Sequence, residues 1–180
     1  YIINTCTVTN MADRKSRQML HRARQLNPDA LVVAAGCYVQ TGQEAVEKDQ
    51  SVDLLVGNNR KRDIAQILEE YLREREETAR KDTGAGEKIR EDGKTEAEAG
   101  MPDKTLRGST VPDIAHTYEY EEARLRQTAE HTRAYIKIQD GCNQFCSYCA
   151  IPLARGRARS RREEDILQEI RGLAQAGYRE

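Results

Sequence analysis

Three cysteines stand close together in the stretch DGCNQFCSYCAIPLARGRARSR, which covers residues 140–161. Cys142, Cys146 and Cys149 are separated by three and then two residues. Structural zinc sites usually have four ligands in two separated pairs, and this loop contains no histidine. An iron–sulfur cube held by three thiolates has one iron without a protein ligand, where a substrate or cofactor can bind. The pattern therefore indicates an iron–sulfur site with an open iron.

The cysteine content also bears on the cellular compartment. The chain carries five cysteines, and its first residues show no charged and then apolar signal segment. We therefore expect a reducing compartment, in which disulfides are rare and clustered thiols indicate metal or redox chemistry. A disulfide within the loop would also leave one of its three thiols over. A cytoplasmic location is the expectation.

The composition restricts the partners that the chain could have. Its 180 residues include 29 basic and 30 acidic ones, and the net charge of −1 argues against a wholly basic nucleic-acid wrapper. No apolar run approaches the ~20 residues that a membrane-spanning helix needs. Any contact with phosphates must come from a local patch, and neither a membrane nor DNA is expected as a partner.

Residues 1–72 alternate strand and helix patterns. Three apolar runs have strand length: YIINTC, ALVVAAGC and VDLLVGN. Between and after them lie the helix-like segments ADRKSRQMLHRARQL, GQEAVEKD and RKRDIAQILEEYL. The first has an apolar face of Ala12, Ser16, Met19, Leu20, Ala23 and Leu26, and the last one of Ile64, Ile67, Leu68, Tyr71 and Leu72. This alternation predicts an α/β fold with a parallel sheet covered by helices.

The middle of the chain changes character. From Arg73 to Gly100, 16 of 28 residues are charged, and Ile89 is the only large aliphatic residue. Such a segment cannot bury enough apolar surface to offset the entropy of ordering it. Residues 73–132 are therefore predicted to be a charged, largely flexible linker, with a frayed helical extension possible after Leu72.

Residues 133–180 predict one strand–loop–helix unit. RAYIKIQ alternates apolar and polar residues like a strand, the cysteine loop follows, and Ser160 and Glu163 form a capping-box pattern. The helix EEDILQEIRGLAQA would bury Ile166, Leu167, Ile170, Leu173 and Ala174. Gly177 is the expected C-terminal cap. The cysteines then follow the carboxyl end of a strand, the edge at which α/β folds bind ligands.

The C-x3-C-x2-C spacing, with Tyr148 just before the last cysteine, resembles the signature of the radical S-adenosylmethionine enzymes. The resemblance implies that Cys142, Cys146 and Cys149 hold a 4Fe–4S cluster whose open iron takes S-adenosylmethionine. It also implies that Tyr148 contacts this cofactor. In that superfamily an electron from the cluster splits the cofactor into methionine and a 5′-deoxyadenosyl radical.

More narrowly, DGCNQFCSYCAIPLARGRARSR is similar to the matching segment of the radical S-adenosylmethionine methylthiotransferases, which replace an unreactive C–H hydrogen by a methylthio group. The resemblance implies a three-layer parallel-sheet domain over 1–72 and the start of a truncated β/α barrel over 133–180, whereas the linker over 73–132 is longer and more charged than is expected of the family. It makes Cys6 in NTCTVTN and Cys37 in AAGCYVQ the second and third ligands of an auxiliary 4Fe–4S cluster. The first ligand would lie upstream of Tyr1. The chain also opens inside a predicted strand and closes at AGYRE just after a helix stop, so a fragment lacking both ends is expected. Without the resemblance, Cys6 and Cys37 would each be interpreted as a small, buried apolar residue at the end of a strand.

The stretch NTCTVTNMADRKSRQ resembles the bacterial branch that modifies threonylcarbamoyladenosine in tRNA. The resemblance implies sulfur insertion at carbon 2 of that adenosine, beside the anticodon, followed by methylation. The expected partners are the tRNA anticodon loop and a small electron-donor protein. Two other substrates stay open within the family, isopentenylated adenosine and a ribosomal-protein aspartate. A non-catalytic metal-binding RNA adaptor is the alternative from another class.

Basic residues follow both cysteine sets. Arg155, Arg157, Arg159 and Arg161, together with Arg162, would grip an RNA backbone if they face outward. The other interpretation is a solvated loop whose arginines pair with Glu163, Glu164 or Asp165. For the second basic group, Arg14, Lys15 and Arg17, a solvated helix face is favoured.

Overall fold

The computed structural model describes residues 1–83, 108–122 and 133–180. Most of the predicted linker falls on 84–107 and 123–132, outside the described residues. Within the described part of the chain, no helix is both long and apolar enough to span a membrane.

The N-terminal part contains a four-stranded parallel sheet, which confirms the predicted α/β class. The strands run in the order β1 (Ile2–Thr5), β2 (Val33–Gly36), β3 (Leu54–Val56) and β4 (Gly108–Thr110). The two central strands are buried along their whole length, as continuous apolar runs in parallel sheets usually are.

Six helices accompany the strands in the described residues. They are α1 (Asn10–Leu26), α2 (Cys37–Thr41), α3 (Gln43–Glu47), α4 (Ile64–Thr83), α5 (Ile151–Arg155) and α6 (Glu163–Gln175). Short 3-10 turns cover Lys61–Asp63 and Ile114–His116. The Thr9 hydroxyl begins α1 by accepting a hydrogen bond from the Ala12 N–H at 3.1 Å, an N-cap that satisfies a free helix donor.

Helices cover both faces of the sheet, because alternate residues of a strand point to opposite sides. On one face, Leu20 of α1 and Val39 of α2 pack with Ala34 and Leu55. On the other, Ile67 and Tyr71 of α4 belong to one cluster with Val33, Ala35, Leu54 and Val56. The predicted apolar face of α1 is only partly buried. Ser16, Leu20 and Ala23 are buried, whereas Met19 and Leu26 are exposed.

Two observations concern the segment predicted as linker. Helix α4 continues to Thr83, which agrees with a helical extension after Leu72. Residues 108–110 form β4 and pair with β3, so this part of the segment belongs to the sheet. The residues Gly108–Thr110 show no apolar alternation, which is why this strand was not predicted. The division at residues 72 and 133 stays a prediction.

The second part of the chain is a small unit that differs in detail from the predicted one. The strand over RAYIKIQ is restricted to β5 (Gln139–Asp140), which pairs antiparallel with β6 (Arg159–Ser160). The predicted alternation does not extend the strand, because its apolar residues are not buried on one face: Ala134 and Ile136 are half-buried and Ile138 is exposed. The predicted capping box is not formed, since Ser160 lies in β6 and Arg162 precedes the first helical residue, Glu163.

Helix α6 ends as predicted but buries less than predicted. Gly177 has a φ of 93°, and the N–H groups of Gly177 and Tyr178 donate to the carbonyls of Ala174 and Leu173. These two bonds form a Schellman motif. Of the expected apolar face, Leu173 is buried and Ile166 half-buried, whereas Leu167, Ile170 and Ala174 are exposed.

We predict that Gly36→Ala destabilises the protein. Gly36 ends β2 with a φ of 106°, and a Cβ there would lie 2.6 Å from the Thr5 carbonyl oxygen of β1. A non-glycine residue in such a conformation costs ~2 kcal/mol before the clash is counted. The matched control is Gly172→Ala, because nothing lies within 4 Å of a Cβ at that position in α6. The control should gain ~0.5–1 kcal/mol from helix propensity. Urea unfolding measures both, and equal free energies of unfolding would contradict the prediction.

Candidate functional site

Cys6 and Cys37 lie at the same edge of the parallel sheet. The last residues of β1 and β2, Thr5 and Gly36, are partners in the strand register, and each cysteine follows directly. Cys6 is exposed and Cys37 is buried, and both thiols are free. The Cys6 N–H donates to the Ser16 hydroxyl oxygen at 3.2 Å, which ties this turn to α1. The strand register therefore places both cysteines at one edge of the sheet, as predicted, and their role as shared ligands stays a prediction.

Three polar side chains surround Cys37. The Asn58 Nδ2, from the turn after β3, lies 3.4 Å from the Cys37 Sγ. The nearby Cys37 thiol raises the pKa of the Arg155 guanidinium. Lys61 donates to the Asn4 Oδ1 at 2.9 Å, and burial lowers the pKa of its ammonium. The surroundings of the Cys37 sulfur are thus rich in hydrogen-bond donors and positive charge.

The sequence analysis did not identify Asn58 or Lys61 as site residues. The available signal was positional, because VGNN follows the third predicted strand at the edge where the first two strands end in cysteines. In a parallel sheet these turns are neighbours.

The three-cysteine loop follows β5. The Cys142 N–H donates to the Gly156 carbonyl at 3.1 Å, and the Cys149 N–H to the Cys146 carbonyl at 3.0 Å. The first bond holds the start of the loop to the end of α5, and the second forms a turn between two of the cysteines. Gly141 has a φ of 75°, and a Cβ there would lie 2.1 Å from the Arg157 carbonyl oxygen. Only glycine fits immediately before Cys142.

The thiols of this loop are accessible. Cys146 is exposed, Cys142 and Cys149 are half-buried, and all three are free. Tyr148, expected to contact a cofactor, is 90% exposed. Within residues 1–83, 108–122 and 133–180, no three cysteine, histidine or carboxylate side chains already converge as a metal site.

Donor chemistry tests whether these residues suit an iron–sulfur cluster. Thiolates are the protein ligands of such clusters, and the loop provides three of them within eight residues. No carboxylate or imidazole lies between Cys142 and Cys149 to favour a harder metal. By the chemistry of the donor set, this loop and the Cys6–Cys37 edge both fit a group that is bound through sulfur.

The arginines after the loop fall into two groups. Arg159 and Arg161 are buried; Arg159 lies 3.7 Å from the Asp140 carboxylate and Arg161 is paired with Glu169. The exposed Arg155 lies near Cys37, while the exposed Arg157 lies over the Phe145 ring at 4.9 Å. Arg162 pairs with Asp165 at 2.8 Å. Of the four proposed RNA contacts, only Arg155 and Arg157 are exposed.

The basic residues of α1 are divided in a similar way. Arg14 and Lys15 are exposed. Arg17 donates to the Tyr38 hydroxyl at 3.3 Å and lies 5.7 Å from the centre of its ring. The hydrogen bond to Tyr38 raises the pKa of Arg17. Arg17 therefore links α1 to α2.

Comparison with known proteins shows which proteins this chain is similar to. Residues 1–57 match the model of Uncharacterized protein family UPF0004. The whole chain is 39% identical to threonylcarbamoyladenosine tRNA methylthiotransferase MtaB of Aquifex aeolicus and 35% identical to MtaB of Bacillus subtilis, and covers 37% and 33% of them. The chain is thus similar to tRNA methylthiotransferases along its whole length. It is also 31% identical to tRNA-2-methylthio-N(6)-dimethylallyladenosine synthase of Carboxydothermus hydrogenoformans, over 99% of this chain and 35% of that one. The chain spans about a third of the length of these curated relatives.

We predict that the two cysteine sets load iron separately. If each cysteine set holds one four-iron cluster, as the sequence analysis predicts, Cys37→Ala should lose roughly half of the iron of the full-length protein. Cys146→Ala should lose the other half, and only this change should abolish cleavage of S-adenosylmethionine. Iron and sulfide counts after anaerobic reconstitution provide the measurement. Full iron content in either variant would remove that cysteine from the ligands.

Proposed function

We propose that this chain is part of a tRNA methylthiotransferase that inserts sulfur at carbon 2 of a modified adenosine and then methylates it. The proposal rests on the contact between α2 and α5, because this contact joins the Cys6–Cys37 edge of the sheet to the loop that carries Cys142, Cys146 and Cys149. Cys6 and Cys37 lie at one sheet edge. The helix that follows the three-cysteine loop, α5, packs against α2, whose first residue is Cys37. Two sulfur-ligated groups would therefore lie on connected elements.

Each cysteine set has its own role in this proposal. Cys142, Cys146 and Cys149 hold one 4Fe–4S cluster, and Cys6 and Cys37 contribute ligands to a second. When bound, the first cluster supplies the electron that cleaves S-adenosylmethionine. The exposed ring of Tyr148 is free to contact that cofactor. The protein's own contribution is to hold these groups and to exclude water from them.

The substrate that we favour is threonylcarbamoyladenosine beside the anticodon of a tRNA. The sequence similarity supports this choice, because the MtaB enzymes of Aquifex aeolicus and Bacillus subtilis are 39% and 35% identical to the chain. Dimethylallyladenosine is the second candidate, supported by a synthase that is 31% identical. We further propose a cytoplasmic enzyme that takes electrons from a small donor protein.

The surface beside the cysteine loop offers a place for RNA. Phe145, in the loop, is half exposed and lies under Arg157. Both residues line a cleft together with the exposed ring of Tyr118. Aromatic rings and guanidinium planes stack on unpaired bases, and arginine also binds phosphates. We propose that this cleft takes a nucleotide of the anticodon loop.

The decisive experiment is modification of tRNA by the full-length protein. The reconstituted enzyme is incubated anaerobically with S-adenosylmethionine, a reductant and tRNA from a strain that lacks methylthio groups. Mass spectrometry of the nucleosides should show a methylthio group on threonylcarbamoyladenosine. Product on dimethylallyladenosine alone would move the protein to the second substrate. Tight tRNA binding without cofactor cleavage would favour the non-catalytic adaptor.

We predict that Arg157→Gln weakens tRNA binding. One lost phosphate contact should reduce the slope of log affinity against log salt by ~0.7, the value for single-stranded RNA. Arg171→Gln is the matched control, because Arg171 is an exposed arginine of α6. Both changes remove one positive charge, so a general charge effect would be equal in the two variants. Equal salt slopes would place the RNA elsewhere.

A further inference from the structure

One buried amide connects the two cysteine-bearing parts of the chain. The Asn58 side chain is 6% exposed. Its Nδ2 lies 2.6 Å from the Ala154 carbonyl oxygen and 3.4 Å from the Cys37 Sγ. The amide nitrogen carries two hydrogens, so it can donate to both at once. The carbonyl of Ala154 only accepts, which requires the nitrogen, and not the amide oxygen, to face it.

The backbone of Asn58 is itself held in place. Its N–H donates to the Gln40 Oε1 at 3.0 Å, and Gln40 Nε2 donates to the Pro112 carbonyl at 2.8 Å. Gln40 belongs to α2, the helix that begins at Cys37. The helix that begins at Cys37 therefore also holds the backbone of Asn58, through Gln40, and this fixes the position from which the Asn58 amide faces the cysteine.

Arg155 makes a second connection between the same parts. Its guanidinium lies 3.9 Å from the Asp140 Oδ1, and Cys37 is near enough to raise its pKa. Asp140 is two residues before Cys142 in the chain. The next residue after Arg155, Gly156, accepts the Cys142 N–H at 3.1 Å. The residues from Ala154 to Gly156 thus lie near Cys37 on one side and contact the start of the three-cysteine loop on the other.

We propose that Asn58 and Arg155 are positioning residues that fix the three-cysteine loop relative to Cys37, and that the Asn58 amide donates a hydrogen bond to the Cys37 sulfur while Arg155 places a positive charge beside it. This inference rests on the proposed function, because it takes Cys37 and the loop cysteines as ligands of two clusters. Donors and positive charges beside a ligand sulfur make reduction easier by stabilising the added negative charge. A fixed separation is what a reaction needs when both sites act on the same substrate atom.

The test uses two variants and two matched controls. Asn58→Leu removes the amide donors at similar size, and Arg155→Gln removes the guanidinium. Asn10→Leu and Arg22→Gln make the same changes at exposed positions of α1. In the metal-free protein, hydrogen exchange is followed at the Ala154 and Gly156 amides, which bond to the carbonyls of Ala150 and Pro152. Both should exchange about tenfold faster in the two variants and at the original rate in the controls.

The second measurement is the midpoint potential of the reconstituted full-length protein. The cluster signal that Cys37→Ala removes should shift to a more negative potential in Asn58→Leu and Arg155→Gln, with full iron content. Unchanged exchange in both variants would overturn the positioning role, and an unchanged potential would overturn the effect of Asn58 and Arg155 on the Cys37 sulfur. If Asn58→Leu does not fold, Arg155→Gln decides, because that side chain is 44% exposed. A protein that exchanges as predicted but does not modify tRNA would refute the proposed function and leave the positioning role standing.

Discussion

The parallel pairing of β1 with β2 is the constraint on which the candidate site depends. The register that joins Thr5 to Gly36 makes Cys6 and Cys37 the next residues on neighbouring strands. A slip of one residue would turn every side chain of the strand to the other face, and the packed layers on both sides prevent it. Val33 and Ala34 are almost completely buried against opposite helices. The core thus determines the spacing of the two thiols.

The same edge collects the polar groups around Cys37. Because all four strands are parallel, their following turns lie side by side, and Asn58 and Lys61 after β3 reach the region that β1 and β2 define. Burying an amide and an ammonium costs free energy unless they are paired. Asn58 has a thiol and a carbonyl as partners, and Lys61 has the Asn4 amide oxygen. If Cys37 binds a metal group as a thiolate, its negative charge would stabilise the positive charges of the neighbouring Lys61 and Arg155 side chains.

The residues that the sequence could predict are those with a periodic or spaced signal. Continuous apolar runs predicted β2 and β3, and apolar residues at three-to-four spacing predicted α1 and α4. The cysteines that follow β1 and β2 indicated which edge of the sheet carries the candidate site. Strand β4 could not be found in this way, because Gly108–Thr110 pairs only through its backbone with β3. Asn58 could not be found either. Its role comes from the Ala154 carbonyl, 96 residues further along the chain, and no local pattern encodes a contact over that distance.

The arginines between Arg155 and Arg161 fall into two groups, one buried in ion pairs and one exposed at the surface. Arg155 is the last residue of α5, Arg157 lies in the following loop and Arg159 begins β6. Residues two apart in a single strand would share one face, so the change of backbone conformation along this run separates their surroundings. Arg159 and Arg161 are buried beside carboxylates of Asp140 and Glu169. Removing one partner of such a pair leaves an uncompensated buried charge, which destabilises strongly. Arg157 has no such role in the described packing and lies exposed over Phe145. A loss of RNA binding on changing Arg159 or Arg161 would therefore report on folding, whereas Arg157 reports on the surface itself.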